Sequence, residues 1–469
     1  MPIPVMSVAQ MREWEQSSWS AGRSQTEVIR RMGKEVARLA LEMTRPGDGI
    51  LILAGKGNNG ADAKASRDLL RDRAVELVEV GDPGQDIIRL KSALEGRPAL
   101  IIDGLFGIGV NRALEPEWVA FIESVNNARC RVLSVDVPSG LNADTGAGYG
   151  AVLRASVTLT VGAPKTGMLS NRALPFVGRL EVASDVGLAP CSILSDVAWI
   201  TKSDFHRFPP EREVTSHKGS FGHLAIFAGS QGYHGAGVLA ARGAQRAQPG
   251  LITLYALESV YHVMASQLQA VMVAPWTPVP KIPADRDSIL IGPGLAAEPI
   301  PDQVKMLTRV LWRDAEAPLV VDASALDWIP LEKPRREAIR VILPHPGEAA
   351  RLLRSTVQEV QANRIEAVRK ISERSGNVWV VLKGHQTVIG RQTGQVIVNS
   401  SGNPQLAQGG SGDVLAGYLA GLLAQPAFRA DISKTLQFAV WQHGRAAELL
   451  SRRKTNWTVE ELVEELGNA

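Results

Sequence analysis

The chain has 469 residues, 45% hydrophobic and 21% charged, with 51 Lys and Arg against 48 Asp and Glu and a net charge of +3. That length is enough for two or three domains with full cores, and the near balance of charge without a basic block excludes nucleic acid as an expected partner. Cys130 and Cys191 form no CxxC pattern, which argues against a disulfide framework or zinc site; without a signal-like start or long apolar run, a cytoplasmic protein with no membrane span is expected.

Short apolar runs alternate with helical patterns, the mark of parallel α/β structure with ligands at the C-terminal ends of strands. GILILAG (49–55), ALIIDGLFG (99–107) and RVLSVDVPSG (131–140) each read as a buried strand entering a glycine-containing loop. Residues from about 200 to 219 are polar, Pro-containing and aperiodic, which predicts an inter-domain linker. A second series follows: GHLAIFAGS (222–230), SILIGPGLA (288–296), APLVVDAS (317–324), RVILPHPGE (340–348) and NVWVVLKGHQ (377–386). The pattern predicts two different α/β domains, 1–209 and 210–469.

In the first domain, Gly55, Gly57 and Gly60 of AGKGNNGADAK have the G-x-G-x-x-G spacing of a dinucleotide loop, with Glu76 and Glu79 at the end of the next apolar run. Asn58, Asn59 and Asp62 suit side chains turned toward a ligand or cation, although the same residues also make a plain tight turn. Asp103 opens DGLFGIGVNRAL, and Asp136 and Ser139 lie in VDVPSGLNADTG. One acid at a strand end is more often a cap or turn residue; three such loops point to one crevice.

The series GNNGAD, DGLFGIGVNR and VDVPSGLNADTG, in that order, resembles the NAD(P)H-hydrate epimerase domain over roughly residues 7 to 200. The resemblance implies a Rossmann-like three-layer α/β domain that interconverts the R and S forms of hydrated nicotinamide cofactors. It implies a potassium ion (K+) on Asn59, Asp103 and Ser139. Hydrate contacts would come from Asn58, Asn59, Gly60, Ala61 and Asp62, and from Gly107, Ile108, Gly109, Val110, Asn111, Arg112 and Ala113. Asp136 would stand beside the nicotinamide ring as the acid/base group, which suits epimerisation at a carbon bearing a hydroxyl next to nitrogen. The chain departs from the commoner NNGGDG at Ala61 and Ala63, where a methyl would obstruct a close phosphate, and carries Arg30 where an acid is common.

In the second domain, QGGSGDVLAG (408–417) sets glycines and then Asp413 ahead of an apolar run that reads as a helix. Glycines before a helix start leave N–H groups outward and, with the positive end of the helix dipole, make a site for anions. The acid beside them is either a helix cap or a proton acceptor. Lys383 before Gly384 is either a solvated strand-end lysine or a phosphate ligand, and His345 between two prolines reads by itself as structural.

Taken together, HKGSFGHLAIFAGSQGYHGAGVLAARGA, GPGL, LPHPGEAARLL, VLKGHQTVI and GNPQLAQGGSGDVLAG resemble the ADP/ATP-dependent NAD(P)H-hydrate dehydratase family, over about residues 215 to 455. The resemblance implies a ribokinase-like α/β domain. Lys383, Gly384, His385, Gln386, Thr387 and Gly412 would hold the phosphates of ADP or ATP, and Ala236, Gly294 and His345 would line the hydrate pocket. Asp413 would be the base acting on the hydrate's hydroxyl, with Mg2+ accompanying the transferred phosphate. Departures are milder: LAQGGSGD for the commoner MATGGTGD, and Ser324 where an acid is usual.

The protein expected from these motifs is a two-domain repair enzyme acting on NADHX and NADPHX, and a homo-oligomer, since homologous enzymes assemble. The first alternative is a ribokinase-like small-molecule kinase fused to a non-catalytic binding or scaffold domain, sharing the same base and phosphate loop. The second is an NAD-dependent dehydrogenase built on the glycines at 55–60.

Overall fold

The structure is a computed structural model that describes residues 2–276, 286–297, 299–335 and 337–469. The chain divides into two compact units, Ile3–Asp196 and one formed by Val197–Ala469 together with Pro2.

In the first unit six strands, β1 (Gly49–Ala54), β2 (Ala74–Glu79), β3 (Leu100–Gly104), β4 (Arg131–Val135), β5 (Val157–Val161) and β6 (Arg179–Ala183), pair in parallel in the order β2-β1-β3-β4-β5-β6. Their near-continuous apolar runs are those of a sheet covered on both faces. The two-residue period is visible along β1: Ile50 and Ile52 join the core under helices Val8–Ser20 and Gln25–Met43, whereas Leu51 and Leu53 join that under Pro83–Glu95 and Pro116–Asn127. The result is the expected three-layer domain. Because the strands are parallel, the loops after β1, β3 and β4 leave from one edge of the sheet.

The second unit holds ten strands among the described residues: β7 (Val197–Ile200), β8 (His223–Phe227), β9 (Leu251–Ala256), β10 (Met272–Pro275), β11 (Ser288–Ile291), β12 (Leu319–Val321), β13 (Arg340–Ile342), β14 (Trp379–Leu382), β15 (Val388–Gly390) and β16 (Val396–Asn399). Their order is β7-β16-β15-β14-β13-β12-β11-β8-β9-β10, and only the pairings of β15 are antiparallel. One face is covered by helices His234–Ala247, Ser411–Leu423 and Ile432–Arg453, the other by Asp302–Asp314, Pro346–Leu353 and Arg364–Arg374. Helices His234–Ala247 and Ser411–Leu423 cross at glycines: a Cβ on Gly417 would lie 1.8 Å from the Ala240 carbonyl oxygen, and one on Gly243 would lie 2.3 Å from that of Val414. This backbone-to-backbone seat fixes the helix that begins at Ser411.

The boundary falls earlier than residue 210. β7 pairs in parallel with β16, Val197 opposite Val396 and Ile200 opposite Asn399. A strand of four residues gives too short a pattern to be read from sequence. Part of the expected linker is also folded onto the second unit: Phe205 is buried, with its ring centroid 5.5 Å from that of Phe438 and 5.2 Å from that of Trp441. No helix among the described residues is long and apolar enough to cross a membrane.

Candidate active sites

In the first unit the turn after β1 leads into helix Asn58–Ala65, whose N-cap is Gly57. Asn59 and Asp62 are buried on this helix, while Asn58 is exposed. The loop after β3 meets them: Asn59 Nδ2 donates to the Phe106 carbonyl (2.7 Å), and Phe106 N donates to Ser139 Oγ (2.9 Å). Asp103 ties this together. Its oxygens accept from Leu105 N (3.2 Å), Ser134 Oγ (2.8 Å), Ser139 N (3.0 Å) and Ser139 Oγ (2.6 Å). Asn59, Asp103 and Ser139 therefore share one hydrogen-bond network through Phe106.

Whether that network suits a potassium ion can be read from its lone pairs. Asn59 Oδ1 is buried without a hydrogen-bond partner, an acceptor for which a cation would compensate. Asp103, by contrast, has all four carboxylate lone-pair positions engaged by the protein, so here it is foremost the clamp that holds the loops. The fit to the ion is carried by Asn59.

Asp136 stands at the end of β4 in the left-handed region, φ +63°. Its Oδ1 accepts from Lys165 Nζ (2.6 Å), Thr160 Oγ1 (3.2 Å) and Val161 N (3.2 Å), while a Cβ on Gly107 would lie 3.3 Å from Oδ2. Oδ1 is thus committed to the protein and Oδ2 faces the Gly107–Ala113 loop, which is mostly exposed and held at Val110 O by Asn142 Nδ2 (3.0 Å). Burial, then the nearby Asp136 and Glu15, push the Asp62 carboxyl up to about 8. Glu15 itself is raised by burial and by Asp136, against the pull of Lys165. Three acids and one lysine thus converge. Lys165 and Glu15 were not predicted, because each comes from an element distant in sequence with no motif marking it.

Two of the three departures from the commoner motif have partners within the protein. Ala63 is fully buried, and its Cβ would be 2.5 Å from a Cβ on Gly104, so its methyl fills the helix–sheet contact rather than a phosphate site. Arg30 is an exposed residue paired with Glu27.

In the second unit Asp413 is the third residue of helix Ser411–Leu423, whose N-cap is Gly410 with no side-chain cap. The cap reading of Asp413 is therefore set aside. Burial, then Asp322 and Glu348, push its carboxyl up to about 7, against the pull of Lys383. Lys383 Nζ lies 2.5 Å from Asp322 Oδ1, and a Cβ on Gly412 would be 3.5 Å from the same Nζ. The solvated-lysine reading also falls away: against burial, Asp322, Glu348 and Asp413 hold Lys383 above its ordinary value. Glu348 is raised by burial and lowered by Lys383.

The KGHQT segment is the tight turn joining β14 to β15, with Gly384 at φ +130°, Gln386 at φ +51° and Thr387 Oγ1 donating to the Gly384 carbonyl (3.0 Å). Arg364 supports it from behind, donating from Nη2 to the carbonyls of Leu382 (2.9 Å) and Lys383 (3.2 Å). Ala236 and Gly294 are neighbours, a Cβ on Gly294 lying 3.0 Å from Ala236 Cβ. His345 is the N-cap of helix Pro346–Leu353: its Nδ1 accepts from Gly347 N (3.0 Å), and its own N–H donates to Glu348 Oε2 (2.7 Å). Its observed task is thus to hold Glu348, and Asp322, Glu348 and Arg364 are the residues sequence reasoning missed. Among the described residues no group of three or more His, Cys, Asp or Glu is arranged to hold a metal.

The second unit thus brings a lysine, carboxyl groups and a glycine turn together at a helix start, the groups that suit a phosphate-bearing ligand, and the first unit has its own acid–lysine cluster. Residues 224–467 match the family described as NAD(P)H-hydrate dehydratase, and residues 79–167 match the family described as YjeF-related protein N-terminus. The bifunctional NAD(P)H-hydrate repair enzyme of Coxiella burnetii is 30% identical over 94% of this chain and 93% of its own length. That of Gloeobacter violaceus is 33% identical over 96% and 94%. The ADP/ATP-dependent NAD(P)H-hydrate dehydratase of Bacillus subtilis, co-crystallised with ATP and Mg2+, superposes with a TM-score of 0.50 and is 32% identical, covering 55% of this chain and 92% of its own. A ribokinase-like protein of Enterococcus faecalis has the same fold, with a TM-score of 0.51 and 22% identity. The chain belongs to the family of bifunctional NAD(P)H-hydrate repair enzymes.

Proposed function

We propose that this chain restores hydrated nicotinamide cofactors, the second unit dehydrating the S form of NADHX or NADPHX and the first interconverting the R and S forms. The observation that carries the reading is the placement of Asp413 beside Lys383 and the Gly412 turn. In the second unit, Lys383, the KGHQT turn and the N–H groups at the start of helix Ser411–Leu423 bind the phosphates of ADP or ATP. Ala236 and Gly294, packed against one another, would line the hydrate pocket, and Asp413 takes the proton of the hydrate's hydroxyl as that oxygen attacks the terminal phosphate. The phosphorylated hydroxyl then leaves as phosphate, pushed by the ring nitrogen, and a proton leaves the adjacent carbon. The products are NAD(P)H, phosphate and, from ADP, AMP. Magnesium would arrive on the nucleotide's phosphates and neutralise their charge.

In the first unit Asp136 moves the proton at the hydrate through Oδ2, with Lys165 compensating its charge on the other oxygen. Asp62, protonated up to about pH 8, is the matching donor. Asn59 Oδ1 would hold potassium, whose charge would steady the loops of Asp103 and Ser139 around the substrate.

The test is the recovery of NADH absorbance when the full chain receives separated S and R hydrates with Mg2+ and ADP or ATP. Rapid recovery from both is expected. Recovery from S alone, with R limited by spontaneous exchange, would remove the epimerase half; no recovery from either would favour a kinase of another substrate.

A further inference from the structure

Helix Ile432–Arg453 holds both ends of the loop that leads into the helix of Asp413. At the start, Gly402 N donates to Glu448 Oε1 (2.9 Å), and Asn403 Nδ2 donates to the Ala447 carbonyl (3.0 Å) and to Ser451 Oγ (2.9 Å). At the end, His443 Nε2 lies 3.0 Å from the carbonyl oxygen of Ser411, the first residue of helix Ser411–Leu423. A carbonyl has no hydrogen to give, so the imidazole carries one on Nε2 and is the donor. His443 is only 6% exposed, and burial holds its pKa down to about 4, which keeps the ring neutral throughout the working pH range.

The contact acts through a rigid unit. The carbonyl of Ser411 and the N–H of Gly412 belong to one planar peptide and point in opposite directions. Drawing the oxygen toward His443 therefore turns the Gly412 N–H the opposite way, at a residue where an added Cβ would lie 3.5 Å from Lys383 Nζ. Asp413 follows directly in the same turn.

We propose that His443 is a positioning residue for phosphoryl transfer: it fixes the Ser411–Gly412 peptide plane, and through it the alignment of the phosphate-binding N–H with Asp413. The inference rests on the dehydratase reading above. His443 is buried and bonded to backbone, so its loss should misalign the reacting groups rather than remove a substrate contact.

The experiment compares full-length His443→Gln and His443→Met. Glutamine places an N–H donor where Nε2 stood, whereas methionine fills similar volume without one. With S hydrate, ADP and Mg2+, His443→Met should lower kcat by about 100-fold, the cost of a small misplacement, and leave KM for the hydrate within about twofold. His443→Gln should recover kcat to within about fivefold of the parent on the same argument. Epimerisation should be unchanged in both. A Met variant with near-parental kcat, or a Gln variant as slow as Met, would overturn the proposal.

If the Met variant fails to fold, 15N-histidine spectra of the parent decide. The ring whose signals vanish in His443→Gln must be the neutral tautomer protonated on Nε2; protonation on Nδ1 overturns the proposal. A parent that recovers no NADH would instead count against the dehydratase reading, while the tautomer would still judge the contact.

Discussion

Lys383 Nζ lies 2.5 Å from Asp322 Oδ1, and this pair sits beside the turn that presents Asp413. One cation thus faces three carboxyl groups, Asp322, Glu348 and Asp413, each of which favours its charged form.

Removing that cation should be felt at two places. Lys383→Met should weaken ADP binding more than about tenfold, as expected for loss of a charge-assisted phosphate contact, measured by calorimetry. It should also move the ionisation of Asp413 above its present value of about 7, because Lys383 is the neighbour that lowers it. An unchanged pH midpoint would show that Asp413 titrates independently of the lysine.

Asp413→Asn should reduce dehydration at least about 100-fold while ADP still binds within a few-fold, the pattern for losing a general base. In the parent, kcat/KM for the hydrate should rise with pH through about 7, since the base must be ionised. Stability should run the opposite way. The folded state holds a proton on Asp413 up to about 7 that the unfolded chain releases near 4, so this contribution is full below pH 4 and lost as pH rises to 7. Denaturant titration at pH 8 should find Asp413→Asn more stable than the parent by up to about 3 kcal/mol, less than the full shift because the carboxyl is partly exposed, and near parity at pH 4.

Asp136→Asn should abolish epimerisation and leave dehydration of the S form intact, measured with separated epimers. Lys165→Met should also stop epimerisation and destabilise the first unit by about 3 kcal/mol, since a buried carboxylate is left without its partner. The double variant should be more stable than Lys165→Met alone; additive losses would mean the two residues do not form a functional pair.

Replacing potassium by tetramethylammonium should slow epimerisation and spare dehydration. Asn59→Leu should produce the same loss and remove the dependence on the ion, because it deletes a buried amide oxygen that has no hydrogen-bond partner within the protein. Equal sensitivity of both activities would place the ion elsewhere.

The motif residues of the second unit were legible because phosphate recognition concentrates its demands in short segments: GGSGD and KGHQT carry glycine, lysine and acid within a few positions. Asp322 was not, since an acid after a strand has many ordinary uses, and only its distance to Lys383 distinguishes it. Glu348 was hidden inside a capping pattern with His345. Lys165 belongs to the loop after β5, and no spacing relates it to Asp136 until the sheet brings β4 and β5 side by side. Ala63 shows the reverse error: a methyl in a glycine motif suggests a blocked phosphate site, yet the side chain turns into the helix–sheet contact. The domain boundary was misplaced for a similar reason, since only pairing with β16 reveals β7 as a strand.

The two-ended grip on residues 402–413 also bears on the entropy of binding. A loop with glycines at 402, 409, 410 and 412, left free, would lose about 1–2 kcal/mol per residue on closing around a nucleotide. Tied to one helix at both ends, it meets that loss during folding instead. The nucleotide then finds a turn already shaped, and the energy of its contacts remains for the transition state rather than for ordering the chain.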